Sequence, residues 1–192
     1  MQQHAHTAQW ETTTGLSREE FEKFTRYCNT SDNGIDNRNR AIMLGFTEED
    51  ARIAPGAIVR IKKPGGIGKN SYVGLYSYVN GIIKIGANVL IGPHCSIAGG
   101  NHLFDVKTQS FTVARAKDEL GITIGDGSWL ASGCTVTAGA NVGKCNLICA
   151  NTVITRPTPD YAIMAGTPGK QIGSIDPKTG EYRWFKTAAL GS

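Results

Sequence analysis

The sequence predicts a mainly β fold, a coil of short parallel strands with three flat faces, preceded by a small helical cap and interrupted by one protruding loop. Three observations lead there. Aliphatic residues recur every six positions in two blocks: Ile61, Ile67, Val73, Val79, Ile85, Ile91 and Ile97, then Ile124, Leu130, Val136, Val142, Ile148 and Ile154. Glycine often follows the aliphatic, as at Gly68, Gly74, Gly86, Gly92, Gly125 and Gly143, and a compact side chain often stands four residues on, as at Ser71, Ser77, Val89, Cys95, Ser128, Cys134, Ala140 and Thr152. The register breaks once, between Ile97 and Ile124. Neither the 3.6-residue helical period nor strand alternation yields a repeat of six. A coil in which each hexapeptide forms one side of a triangular prism does.

In such a coil the aliphatic points inward, and glycine is expected to let the chain turn the corner without a Cβ penalty. Stacked turns bury a continuous column of Ile, Val and Leu that no single repeat buries alone. At about 25 cal/mol per Å² of apolar area, that column is the main source of stability. Ahead of it, Ser17 followed by Glu20 reads as a capping box, and Phe21, Phe24 and Cys28 give an apolar face to a helix ending near Asn29. Residues 31–39, rich in Asn, Asp and Gly, read as a loop, and a second short helix is expected to begin at Thr47, where Glu48, Glu49 and Asp50 favour a helix start. These elements are expected to cover one end of the coil, and residues 1–14 to be a mobile tail. Beyond the repeats, Asp176-Pro177-Lys178-Thr179-Gly180 predicts a turn between short strands, with Tyr182, Trp184 and Phe185 as packing residues. The chain thus divides into a tail and cap over 1–52, a coil over 53–156 carrying an irregular loop at 103–121, and an extension over 157–192.

Composition narrows the function. The 192 residues carry a formal charge of only +4, with no dense Lys/Arg block and no aromatic RNA motif, which argues against nucleic acid and leaves room for an anionic ligand. No apolar run approaches a membrane span and the N-terminus lacks a signal-peptide core, so a soluble, cytoplasmic protein is expected. The five cysteines lack zinc-ribbon or CxxC spacing. Cys95 and Cys134, at the compact inward position, are expected to be reduced core residues.

The break in register is the functional signal, because long excursions from compact folds are usually functional or disordered. It begins directly after Ala98-Gly99-Gly100-Asn101-His102. Imidazole has the basicity needed to take a proton from an attacking hydroxyl near neutral pH. His94, inside Gly92-Pro93-His94-Cys95, falls instead at a corner that should face solvent and is assigned no catalytic role. His4 and His6 lie in the tail.

With the repeats, Asn101-His102 and the following Leu103-Phe104-Asp105 resemble the hexapeptide-repeat acyltransferases of the left-handed parallel β-helix fold, particularly the sugar and polysaccharide O-acetyltransferases. The resemblance implies a left-handed coil, with His102 as the catalytic base at the root of a loop that reaches a neighbouring subunit of a trimer. Ile124-Gly125-Asp126-Gly127-Ser128-Trp129-Leu130-Ala131-Ser132-Gly133 is similar to the family's IGDNVWIG segment, which lines the pantetheine arm of acetyl-CoA. It implies cofactor contacts at Trp129 and at Ser132, whose backbone N–H or hydroxyl would stabilise an oxyanion. Cys149-Ala150-Asn151-Thr152 stands where the family has GAGS, placing Ala150 beside the cofactor with departures at Cys149 and Asn151. Val153-Ile154-Thr155-Arg156-Pro157 resembles the family's exit from the last coil, and Ala165-Gly166-Thr167-Pro168-Gly169-Lys170 its AGVPAKVI signature. Thr155, Arg156 and Lys170 are thereby expected to meet the pantetheine end and the coenzyme phosphates, with Arg156 keeping the charge of the usual lysine. The last stretch lacks P-loop spacing.

On the acceptor side, Asn80 takes the place of a glycine after Val79, one turn before His102, with the aromatics Tyr76 and Tyr78 nearby. Asn80, Tyr78 and Asp105 are the candidate acceptor contacts, Asp105 also being placed to orient the imidazole. The expected activity is transfer of acetyl from acetyl-CoA to a sugar hydroxyl in a homotrimer with sites between subunits, without a metal. The alternatives are an N-acyltransferase acting on an amino sugar or antibiotic, and a non-catalytic β-helix assembly module. A γ-type carbonic anhydrase, on the same prism, needs three zinc histidines where the coil offers only His94 and His102.

Overall fold

The computed structural model describes residues 15–115 and 120–185 of the chain. It shows a parallel β-helix with three faces. One face stacks Arg52–Ile53, Tyr72–Val73, Leu90–Ile91, Trp129–Leu130, Leu147–Ile148 and Ala162–Ala165. The second stacks Ile58–Ile61, Tyr78–Gly81, Ser96–Ala98, Thr135–Thr137 and Val153–Ile154, and the third stacks Gly66–Ile67, Ile83–Ile85, Ile122–Ile124 and Asn141–Val142. The register is strict: Val79 sits on Ile97, Ile97 beneath Val136, and Val136 beneath Ile154. Every predicted inward aliphatic is buried except Ile61, which packs half-buried against the core near the N-terminal end. The compact positions are buried too, and Ser71, Ser77 and Ser128 each donate to a carbonyl of the next coil while accepting the backbone N–H of the residue stacked on them in that coil. This satisfies polar groups that would otherwise be stranded in the core.

The glycines serve a different purpose from the one expected. Gly68 and Gly125 do not adopt positive φ; a Cβ there would stand 2.5 Å from the carbonyl carbon of Gly86 and 2.6 Å from that of Gly143, respectively. They are bare because the next coil's backbone passes directly over them. The left-handed corner conformation falls two residues later, on Asn70, Asn88, Gly127 and Cys145 at one corner and on Tyr76, His94, Gly133 and Asn151 at another.

At the N-terminal end, α1 spans Arg18–Thr30 with the predicted capping box between Ser17 and Glu20. Phe24 is exposed, however, so the apolar face expected there is only partly covered in this chain, and the side chain of Cys28 lies outside the described residues, as does the whole 1–14 tail. Residues 31–39 are not a loop. They open α2, Gly34–Met43, in which the Asn33 side chain caps the helix by accepting from Asp36 N–H at 3.0 Å. The Asn, Asp and Gly read as loop formers are its cap and first turn. No helix forms at Thr47, where residues 48–50 make only a turn. Arg38 donates to the carbonyls of Phe46, Thr47 and Ala51, so this backbone is held by a side chain in place of a helical ladder. α2 covers the end of the coil, with Ala41 in the core and Arg40 reaching Ser31 and the Ile53 carbonyl.

At the far end the parallel stacking continues past Arg156 to Ala162–Ala165, where Lys170–Ile175 and then Tyr182–Trp184 add on antiparallel. The predicted turn is present, its Asp176 carboxylate accepting from Lys178 and Thr179 N–H. Tyr182, Trp184 and Phe185 remain about half exposed among the described residues, and Tyr182 meets Trp184 edge to face with ring centroids 6.2 Å apart.

Two corner substitutions separate these roles. Gly125→Ala should cost several kcal/mol through collision with the Gly143 backbone, whereas Cys145→Gly should be neutral or stabilise by about 1 kcal/mol by relieving a left-handed residue. Chemical denaturation of both variants checks the pair.

Candidate active site

The excursion between Ile97 and Ile124 is a β-hairpin over most of its length, not an irregular loop. Strands His102–Asp105 and Ser110–Arg115 pair antiparallel, with Asp105 opposite Ser110 and Phe104 opposite Phe111. Asp105 closes the turn, its carboxylate accepting from Lys107 N–H at 2.9 Å and the Thr108 hydroxyl at 3.0 Å. Those bonds, the Lys107 amide foremost, hold its pKa below the ordinary carboxylate value. The pairing then slips between Phe111 and Arg115, a bulge that brings the Thr112 carbonyl within 2.9 Å of His102 Nδ1. A carbonyl can only accept, so Nδ1 carries a proton, and in the neutral imidazole Nε2 keeps its lone pair. His102 is exposed at the hairpin root, its ring held by this bond. The ring is oriented by Thr112 and not by Asp105, whose oxygens are engaged in the turn.

The hairpin leaves the coil after Ser96–Ala98, a strand of the second face. Tyr78 and Asn80 alternate outward around buried Val79, and Asn80 pairs with Ala98, four residues before His102. The Asn80 carbonyl accepts Gly99 N–H at 2.9 Å, while its side-chain amide bonds to nothing among the described residues. Ser132 lies at the corner that leads into Thr135–Thr137, across the width of this face from the hairpin root. It is exposed, and its backbone N–H has no partner among the described residues; Ala150, stacked one coil on, shares both properties. Trp129 projects from the first face, half exposed, between Leu90 and Leu147. At the C-terminal end, Thr155, Arg156 and Lys170 line one cavity of about 490 Å³ together with Pro157, Pro168 and Gln171.

The comparisons agree with this architecture. No family model matches the chain. A Saccharomyces cerevisiae protein that carries a provisional acetyltransferase name is 34% identical over 127 residues, which is 60% of this chain and 63% of that protein. The galactoside O-acetyltransferase of Escherichia coli is 27% identical over 130 residues, 62% of this chain and 61% of the other. A tetrahydropyridine-dicarboxylate N-succinyltransferase of Methylorubrum extorquens is 30% identical over 155 residues, 74% of this chain and 54% of the other. Among solved structures, a maltose O-acetyltransferase from Clostridium difficile superposes with a TM-score of 0.64 over 83% of this chain and 86% of that one, at 23% identity.

The chain is similar in sequence to acyltransferases and in fold to a maltose O-acetyltransferase. It spans less than two thirds of the length of these curated relatives. Of the candidate site residues, the fold sets Tyr78 and Asn80 on the strand beside the one that leads to His102, gathers Thr155, Arg156 and Lys170 in one cavity, and spreads Ser132, Ala150 and Trp129 over the adjoining corner and face. The Thr112 carbonyl was invisible to sequence reasoning, since a backbone group leaves no residue signature. The two buried cysteines are engaged within the coil. Cys95 Sγ donates to the Ala131 carbonyl and Cys134 Sγ to the Cys149 carbonyl, each at 3.2 Å, and the neighbouring Cys95 side chain together with burial pushes the Cys134 thiol well above its ordinary pKa. His94 stacks on Tyr76 with ring centroids 5.6 Å apart, a corner contact away from the hairpin.

Because the folded pKa of Asp105 is depressed, its contribution to the hairpin is present above its unfolded pKa and is lost as pH falls through the folded value. The protection of the Lys107 amide, its exchange rate relative to the intrinsic rate at the same pH, should therefore fall on acidification. In Asp105→Asn that protection should already be lower at neutral pH and should lose the pH dependence.

Proposed function

We propose that the protein is an acetyltransferase that moves an acetyl group from acetyl-CoA to a sugar hydroxyl, with His102 as general base. The observation that carries this reading is the bond from His102 Nδ1 to the Thr112 carbonyl, which leaves Nε2 free at the foot of an exposed hairpin. Nε2 takes the hydroxyl proton as the oxygen attacks the thioester carbonyl. The free N–H of Ser132 is suited to the oxyanion, the thiol of CoA leaves, and the proton on His102 passes to it or to water. Arg156 and Lys170 supply positive charge in a cavity of the right chemistry for coenzyme phosphates, and Thr155, Ala150 and Trp129 flank the path of the pantetheine arm.

His102 and Ser132 stand at opposite edges of one face, so a single chain does not bring base and oxyanion donor to one point. A homotrimer, in which one subunit's hairpin meets a neighbour's corner, would join the two halves. The exposed Phe104 and Phe111, in edge-to-face contact at 5.4 Å, are apolar surface that such a neighbour would cover. Among the described residues no helix is long and apolar enough to cross a membrane, and a cytoplasmic location is proposed because acetyl-CoA is available there. The N-succinyltransferase relative favours a second reading, acylation of an amine, since the same base serves either nucleophile.

Replacing His102 with alanine should lower kcat by about 10²–10⁴-fold while leaving the Kd for acetyl-CoA unchanged. Thiol release from acetyl-CoA across hydroxyl and amine sugars, with calorimetric titration of acetyl-CoA, measures both. Full activity in the variant would remove the base from the mechanism. Neutralising Arg156 and Lys170 together should raise the KM for acetyl-CoA about tenfold or more without altering kcat, as loss of charged phosphate contacts requires.

A further inference from the structure

The outward positions of the second face form columns set by strand register. In one column Arg60 lies beside Asn80, and Asn80 beside Ala98, which leads directly to His102. Strands in a sheet lie about 4.8 Å apart, so Arg60 sits roughly 10 Å from Ala98 along this face. A monosaccharide and an extended arginine side chain together span that interval. Arg60 is exposed and has no ion pair or hydrogen bond from its side chain among the described residues.

Its surroundings are made for an anion. The outward residues of this face, from Ile58 and Arg60 through Tyr78, Asn80, Ser96, Ala98, Thr135, Thr137 and Val153, include no carboxylate. Lys62 and Lys63 follow Arg60 at the same corner, both exposed. Between this basic edge and the hairpin root the chain carries glycines, of which Gly81 and Gly99 are buried. Gly81 has φ of 121° and stacks on Gly99, so a Cβ at Gly81 would come within 3.3 Å of the Gly99 backbone, and Gly100 follows. An exposed guanidinium on this strand, with no partner among the described residues, is free to meet a ligand's bidentate anion.

We infer that the acceptor is an anionic sugar, whose carboxylate or phosphate is bound by Arg60 while a hydroxyl is presented to His102. This rests on the acetyltransferase reading and adds the acceptor class to it. Arg60 is then a specificity residue that does not take part in proton transfer. Asn80 bonds a ring substituent between the two ends, and Tyr78 lies against the ring.

The test is a matched acceptor panel for wild type and Arg60→Gln, read by thiol release from acetyl-CoA: glucose and galactose, their uronic acids, and their 1-phosphates. Wild type should prefer the anionic members by about tenfold or more in kcat/KM. The uronates and the phosphates, compared with each other, identify which anion is meant. In the variant the KM for anionic acceptors should rise by about the same factor, with kcat, the KM for acetyl-CoA and turnover of neutral sugars unchanged. Turnover of neutral sugars at equal or higher efficiency would overturn the inference and leave the acetyltransferase reading standing. So would an equal loss on every acceptor, or acetyl-CoA binding without turnover of any anionic acceptor. Absence of both turnover and acetyl-CoA binding would overturn the two together.

Discussion

The rest of this structure depends on the backbone hydrogen bonds between successive coils. They hold each strand at fixed register against the next, and the corners must come close enough for those bonds to form. Gly68, Gly74, Gly125 and Gly143 make that approach possible, because any side chain there would occupy the neighbouring coil's backbone. Once the coils are stacked, inward residues such as Val79, Ile97, Val136 and Ile154 fall into one column, and burial of each contributes about 1.5–3 kcal/mol. The same bonds align the outward residues, so positions far apart in sequence become neighbours without any packing of their own. Asn80 is delivered to the base of the His102 hairpin by backbone register alone.

This explains what the sequence disclosed and what it did not. The six-residue period determines inward and outward positions almost completely, because it is written in side chains that burial selects. Features held by backbone groups or by single side chains leave no period. Asn33 and Asp36 looked like loop residues because the residues that favour loops are those that cap helices, and only the apolar cover beneath α2 decides between the two. The turn at residues 48–50 was misread because Arg38, ten or so positions earlier, takes the carbonyls a helix would have used. The glycines were recognised but for the wrong reason, since a dihedral requirement and a close approach give the same residue. At the site, His102 stood out by its place at the break in the repeat. The bulge that turns the Thr112 carbonyl onto its ring had no signal at all, and Asp105 drew attention that belonged to the turn it closes.

A rigid stack also sets limits on how a site can be built. Outward side chains on one face point in parallel and do not converge, so a flat face cannot enclose a substrate by itself. The hairpin breaks that limit by lifting a histidine off the face, and the bulge then aims its ring. What one chain lacks is a wall opposite the hairpin. The corner with the free N–H groups of Ser132 and Ala150 is the part best fitted to serve as that wall, but it lies on the far side of the same face. In the proposed trimer the geometry resolves, because a neighbour's corner can stand where this chain's own cannot.

Charge is distributed along the same axis. Arg60 belongs to the first strand of the second face, and Thr155 and Arg156 follow its last, so positive groups mark the two ends of one surface with neutral residues between. Two anions bound side by side would repel each other, whereas anions held at the two ends of a stack of five strands are separated by about 19 Å of strand spacing and are well screened at ordinary ionic strength. In the proposed transfer the reacting groups, a thioester and a hydroxyl, carry no charge and would meet between these two ends. A donor with its phosphates anchored at the C-terminal end and an acceptor with its anion anchored near Arg60 would thus enter from opposite ends. Each charged anchor then contributes affinity without placing a like charge beside the oxyanion that forms during transfer.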